Sequence, residues 1–439
     1  MIGHLRRLRE VRLTRAGLCA VGAVSILATG LVIATALGRT SAQSQALALL
    51  RRPRVERVVL PPRPAPPAPV ATIPPAPVPR PVVSTPKSTA PTPATTTTPK
   101  TTTTTTTTPT PVPSKAKHVF IIALTTPSYR AAFGRGSAME YLDHVLRPKG
   151  DLLTGYETLG ETDLPDYLAM VSGQAPNYDT ERDCTTYAAF PAGASPDKAG
   201  EVRGRGCVYP DTVLTIGDQL DAASMGWKGY FEDQGSTLPA GQQDCQHPNS
   251  DAVDPTLTPV AGDDYATSEN PFVYFHSLLD LGDCASDDLP LTQLTAGLRS
   301  ARRTANLVYI APGLCDDGSA TPCPGVTPTG SAGADAFLKQ WVPMVLRSPA
   351  YRKNGVLLIL FASARTQLAA GMAFHHPQRT GALVISRYAK VGSTSRKRYT
   401  PYSVLRSIED LYALKALGRA KAAKSFAKIA LPRAWAKTR

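Results

Sequence analysis

The chain has 439 residues, 41 of them proline, and a formal net charge of +14. Of that charge, +4 falls in residues 1–16 and +10 in residues 39–117, so residues 118–439 are formally neutral. A domain that grips nucleic acid carries the basic patch itself, which excludes that class of partner, and the remaining ~320 residues are long enough for one deep core.

Residues 1–16 carry five Arg against one Glu and read as a basic cytoplasmic tail. Residues 17–38 hold no charge and are rich in Ala, Val, Leu and Ile. Such a run spans a bilayer core of ~30 Å, and the Arg cluster ahead of it places the N-terminus in the cytoplasm. The expectation is a single-pass signal-anchor with the rest of the chain outside. Cleavage at the small residues Ala36 or Ser41-Ala42, giving a secreted protein, is the alternative. Residues 39–116 form a stalk dominated from 61 onward by Pro, Ala, Val and Thr, with a Thr run at 101–108. This composition cannot bury enough apolar surface to fold, and Pro favours an extended spacer. Its basic charge suits anionic lipid heads or a cell-wall polyanion, or serves only to keep it solvated.

The folded domain is expected over 117–439. Short apolar runs at 118–124, 306–311, 355–361 and 381–386 have the pattern of strands buried on both faces. Helix-period segments lie between and after them at 165–172, 215–225, 334–346 and 402–414. Buried strands alternating with amphipathic helices imply an α/β domain of three layers around a mainly parallel sheet. In such a sheet the chemistry collects beyond the carboxyl ends of the strands. Six cysteines (Cys184, Cys207, Cys245, Cys284, Cys315, Cys323) fall in this domain, without zinc-ligand spacing. They suggest up to three disulfides in an exported domain, with fifteen pairings open. Pairing neighbours, which closes the smallest loops, gives 184–207, 245–284 and 315–323.

Several stretches recur in order: 164–173 (LPDYLAMVSG), 215–220 (TIGDQL), 270–275 (NPFVYF), 335–338 (DAFL), 381–386 (GALVIS) and 402–411 (YSVLRSIEDL). Together they resemble the bacterial phosphoesterases of the alkaline-phosphatase superfamily, acid phosphatases and phospholipases C among them. The resemblance implies an alkaline-phosphatase-like sandwich. It also implies a Ser or Thr nucleophile activated by divalent metal ions held on carboxylates and imidazoles.

The positions that the resemblance assigns to that chemistry are altered. Thr125 and Thr126 stand where the family has Glu-Asn after the first strand, and Asp163 stands at the nucleophile position. In the next ligand run Asp317 is kept, but Ser319 and Ala320 replace the His and the second Asp. Ala362 and Ser363 stand for Asp-Glu, and Thr400 and Pro401 for Asn-His. Thr, Ser, Ala and Pro are poor ligands for dications. No metal cofactor is therefore expected, and the domain reads as a degenerate phosphoesterase, a binding or scaffold module at the cell surface. Its partner would be a wall polyanion, a phosphorylated ligand or a protein. An active phosphoric-ester hydrolase with a rearranged site is the alternative. Such a site would draw on Asp163, Asp316, Asp317, His375 and His376. The bland readings are a helix cap for Asp163, an acidic turn for Asp316-Asp317 and a solvated loop pair for the two histidines.

Overall fold

The computed structural model describes residues 114–126, 128–160, 162–237, 245–363 and 377–435. All lie in the unit Thr102–Arg439. The expected tail, anchor and stalk up to residue 113, and His375 and His376, lie outside the described residues. Among the described residues no helix is long and apolar enough to cross a membrane. Packing begins at Ser114, whose N–H donates to the Leu411 carbonyl, three residues ahead of the expected domain start.

Eight strands form one sheet: β1 (His118–Thr126), β2 (Asp151–Leu153), β3 (Trp227–Phe231), β4 (Asp288–Pro290), β5 (Leu307–Ala311), β6 (Gly355–Ser363), β7 (Ala382–Ser386) and β8 (Ser393–Ser395). Their spatial order is β4-β3-β5-β1-β6-β7-β2-β8. The first five in that order are mutually parallel, and β2 pairs parallel with β8. Only β7 runs the other way, antiparallel to both β6 and β2.

Every residue of β1 and β6 is buried, which explains their unbroken apolar character. Side chains of successive residues leave opposite faces of a strand. Val119, Ile121 and Ala123 accordingly join one apolar cluster, and Phe120, Ile122 and Leu124 the other. The first cluster is completed by α1 (Leu164–Ser172), α2 (Ile216–Ala222) and α4 (Pro401–Tyr412). The second is completed by α3 (Gly330–Arg347), through Phe337, Leu338, Trp341, Val342 and Val345. The result is the expected three-layer α/β arrangement, with the sheet between two helical layers.

Two features position the site. The register of β1 on β6 sets Thr125 beside Ala362 and Thr126 beside Ser363 at the carboxyl ends of both strands. The Cys315–Cys323 disulfide closes the loop that follows β5 and carries Asp316, Asp317 and Ser319. Cys184–Cys207 is the second bridge. The third expected bridge, Cys245–Cys284, does not form. Each partner is held elsewhere by its own surroundings. Gln246, next to Cys245, accepts from the Tyr265 hydroxyl at 2.7 Å through its carbonyl. Cys284 is buried in the first turn of a short helix, Cys284–Asp287, that leads into β4.

Candidate functional site

Four of the family-site positions, Thr125, Thr126, Ala362 and Ser363, are neighbours at the carboxyl ends of β1 and β6, and Asp317 is bonded to Thr125, in a knitted interior. Thr125 is fully buried; its N–H donates to the Asp317 carbonyl at 2.8 Å and its Oγ1 to the same oxygen at 3.4 Å. Thr126 Oγ1 donates to the Ser128 carbonyl at 3.2 Å. Ser363 Oγ donates to the Gly160 carbonyl at 2.5 Å and lies 2.9 Å from Thr158 Oγ1. Ser319 Oγ lies 2.8 Å from Thr321 Oγ1. Ala362 is buried in the core, and Pro401 occupies the first turn of α4, where its missing N–H costs nothing.

Asp163 is the N-cap of α1. Its Oδ1 accepts from the Leu164 N–H at 2.7 Å, so the capping reading is correct. One turn on, Asp166 accepts from the N–H groups of Leu159 at 2.6 Å and Ser363 at 3.3 Å. Burial nonetheless holds its carboxyl well above the usual range, opposed by those two donors. Asp317 sits in a tight turn, its Oδ1 accepting from the Ser319 N–H at 2.6 Å. That turn requires Gly318, whose φ is +107° and where a Cβ would collide with the Thr125 carbonyl.

A third carboxylate joins these two. Oxygens of Asp163, Glu269 and Asp317 all lie within 4.8 Å of one another, and the three residues are 0–1% exposed. Glu269 ends a 3₁₀ turn, Thr267–Glu269, and directly precedes Asn270, whose side-chain oxygen accepts from the Phe272 N–H at 3.2 Å. Burial raises the Glu269 carboxyl well above its ordinary value, and the charges of Asp163 and Asp317 add to the effect. Sequence reasoning passed over Glu269. The available signal was its place immediately before 270–275, an apolar stretch in which a carboxylate must be buried.

Asp316 points into a different group. It faces Glu232, Asp233 and Asp264, and Asp264 packs against Gly313 where a Cβ would not fit. Burial first, then neighbouring carboxylates, push Glu232 up to about 8 and Asp264 up to about 7. An open groove lies elsewhere on the domain, lined by Tyr178, Arg182, Thr186 and Arg205. The guanidinium carbons of Arg182 and Arg205 stand 3.6 Å and 4.1 Å from the Tyr178 ring centroid.

The two-dication centre of the resembled family does not fit this donor set. Thr125, Thr126, Ala362, Ser363 and Pro401 offer neither carboxylate nor imidazole, and their polar atoms bond to protein. What the arrangement offers instead is one all-carboxylate cluster.

No protein-family model matches the chain. The chain is 23% identical over 279 residues to the phosphate-repressible acid phosphatase of Penicillium chrysogenum. That match covers 62% of this chain and 55% of the relative, so it spans about half of the relative's length. Similar solved structures include a Vibrio parahaemolyticus protein of the alkaline-phosphatase superfamily (TM-score 0.39, 11% identity, 70% of this chain and 68% of that one). A Bacteroides thetaiotaomicron protein described as a sulfatase aligns at a TM-score of 0.39 and 10% identity, over 74% of this chain and 76% of that one. The lipoteichoic acid synthase LtaP of Listeria monocytogenes aligns at 0.35 and 9%, over 69% and 74%. The chain is thus similar in sequence, over part of its length, to a phosphatase.

Proposed function

We propose that this is a phosphoesterase-like domain that has lost ester hydrolysis and works as a membrane-anchored binding module outside the cytoplasm. The observation that carries the reading is the closure of the site. Thr125, Asp163, Asp317 and Ser363 are 0–1% exposed, and their neighbours' hydrogen bonds are made within the protein. A hydroxyl nucleophile needs a base or metal beside it, and the nucleophile position holds a carboxylate. Near a phosphate, that carboxylate repels unless cations intervene. Two disulfides support an oxidising compartment.

The second reading, a hydrolase with a rebuilt site, rests on the convergence of Asp163, Glu269 and Asp317. Turnover of aryl phosphates and phosphodiesters by the full-length chain, beside Asp163→Ala, separates the two. The expected result is no turnover by either protein. Wild-type turnover that Asp163→Ala abolishes overturns the non-catalytic reading. Single restorations such as Asp163→Ser are expected to stay inactive, because catalytic groups act as a unit.

A further inference from the structure

We infer that the face at the amino ends of β5, β1 and β6, with the adjoining end of β7, docks on an anionic phospholipid surface; this deepens the membrane-anchored reading and rests on it. Residues 118–439 are formally neutral, yet their charge is segregated. The four strands are consecutive in the sheet, three of them parallel and β7 antiparallel. The segments that lead into β5, β1 and β6 and the one that leaves β7 therefore meet at one pole. Contacts tie them together. His118 Nδ1 lies 2.8 Å from Asn354 Oδ1, and its Nε2 lies 3.2 Å from the Ala301 carbonyl. The Lys117 N–H donates to the Asn354 carbonyl at 3.1 Å, and the Lys115 N–H to the Ala434 carbonyl at 2.7 Å. Arg387 Nη1 donates to the Lys353 carbonyl at 3.4 Å, and the Arg433 N–H to the Tyr388 carbonyl at 3.4 Å.

Lys115 and Lys117 precede β1, and Arg302 and Arg303 precede β5. Arg352 and Lys353 end the helix Pro349–Asn354 ahead of β6, Arg387 follows β7, and Arg433 lies beside it. Every one of these side chains is exposed, and among the described residues none is in an ion pair. The segments 114–118, 300–306, 349–355, 386–388 and 431–435 hold no Asp or Glu. Acids lie outside the face. Asp221, Asp283 and Asp287 flank β3 and β4 and bound it on that side. Asp233, Asp264 and Asp316 gather beyond the opposite ends of β3 and β5. Four neighbouring strand ends make the face about 15 Å wide before side chains extend it, which suits a planar array of headgroups better than a single phosphate. Each Lys or Arg near an anionic lipid surface strengthens binding about fivefold, and the attraction dies away within a Debye length of about 10 Å. The course of the chain favours lipid over a soluble polyanion. Residues 1–113, with the uncharged run 17–38 read as the anchor, join the domain at this face, through Ser114. The tether of an anchored domain thus ends on the face that attracts the bilayer.

The test uses the full-length chain reconstituted into vesicles of phosphatidylcholine alone or of an equimolar mixture with phosphatidylglycerol. Reductive methylation of lysines is read by mass spectrometry at low salt, since its reagent, formaldehyde, is neutral and is not repelled by the surface. Lys115, Lys117 and Lys353 are expected to react severalfold more slowly on the anionic vesicles than on the neutral ones. Lys339, exposed in the middle of α3, is expected to react alike on both. High salt, or Arg302→Glu with Arg303→Glu, should restore the rates. Equal rates on the two lipids overturn the inference, and so does a slowing that Lys339 shares in full. Slowing by soluble polyphosphate on neutral vesicles, without slowing by phosphatidylglycerol, assigns the face to a polymer and overturns it too. If the double variant fails to fold, the wild-type comparison of the two lipids with its salt arm decides. A chain that does not float with neutral vesicles overturns the anchored reading instead. Flotation with anionic vesicles alone then supports docking by this face, and flotation with neither overturns both.

Discussion

At the scale of single residues, the positions that the resemblance assigns to metal ligands carry small hydroxyls that bond inward. Ser363 shows this best, because it stands where a metal-binding carboxylate is expected and spends its Oγ on Thr158 and Gly160. Ser363→Ala should lower stability by about 1 kcal/mol, read by denaturant unfolding, since Thr158 Oγ1 keeps its own bond to Gly160. Activity assays should show no difference. Asp163 and Asp317 were legible in the sequence through the motifs that flank them. Glu269 was not, because no periodicity or motif links residue 269 to 163 and 317. Only the fold brings those three carboxylates to one point.

Among the elements, α4 carries a buried acid of its own. Glu409 is fully buried, and its Oε1 accepts from the Leu417 N–H at 2.7 Å. Burial raises it from 4.5 to about 8, opposed by that N–H and by Arg406. A folded-state pKa raised above the unfolded one means that the folded protein holds the extra proton. Stability is therefore full below the unfolded value and falls as pH rises toward about 8. Glu232 and Asp264 contribute with the same sign. Glu409→Gln keeps an acceptor for Leu417 and removes the ionisation. Its unfolding free energy, measured from pH 5 to pH 9, should fall less steeply than wild type by up to one proton. The long strands and helices were legible because burial on both faces, or on one helical stripe, writes a pattern into the sequence. Strands β2, β4 and β8, at three residues each, are too short to write one. The antiparallel direction of β7 leaves no local trace either, because an apolar run reads the same in both directions.

For the whole molecule, the expected arrangement is a cytoplasmic tail, one anchor over 17–38, a stalk over 39–116 and an exported domain. Protease added to intact protoplasts should remove the domain and leave the tail. Protection of the domain would refute the arrangement. Cys184–Cys207 and Cys315–Cys323 fit an exported fold, and the second pins the loop that bears Asp317. Opening an eight-residue loop of this kind should cost roughly 2–3 kcal/mol, so Cys315→Ser with Cys323→Ser should lower the unfolding free energy by that amount, read by denaturant unfolding.

Composition and periodicity by themselves determined the charge distribution, the Pro- and Thr-rich composition of 61–114 and the α/β class, because these depend on local runs of side chains. They also placed the site at the carboxyl ends of 118–124, 306–311 and 355–361. Tertiary structure alone decided three further matters. It bore out two of the three neighbour pairings, Cys184–Cys207 and Cys315–Cys323, but left Cys245 unjoined to Cys284, since bridging depends on which backbones meet. It set β1 against β6 so that Thr125 and Ser363 turn inward. And it gathered Asp163, Glu269 and Asp317 from three distant segments into one buried point, where electrostatic repulsion makes their company costly without a counter-charge.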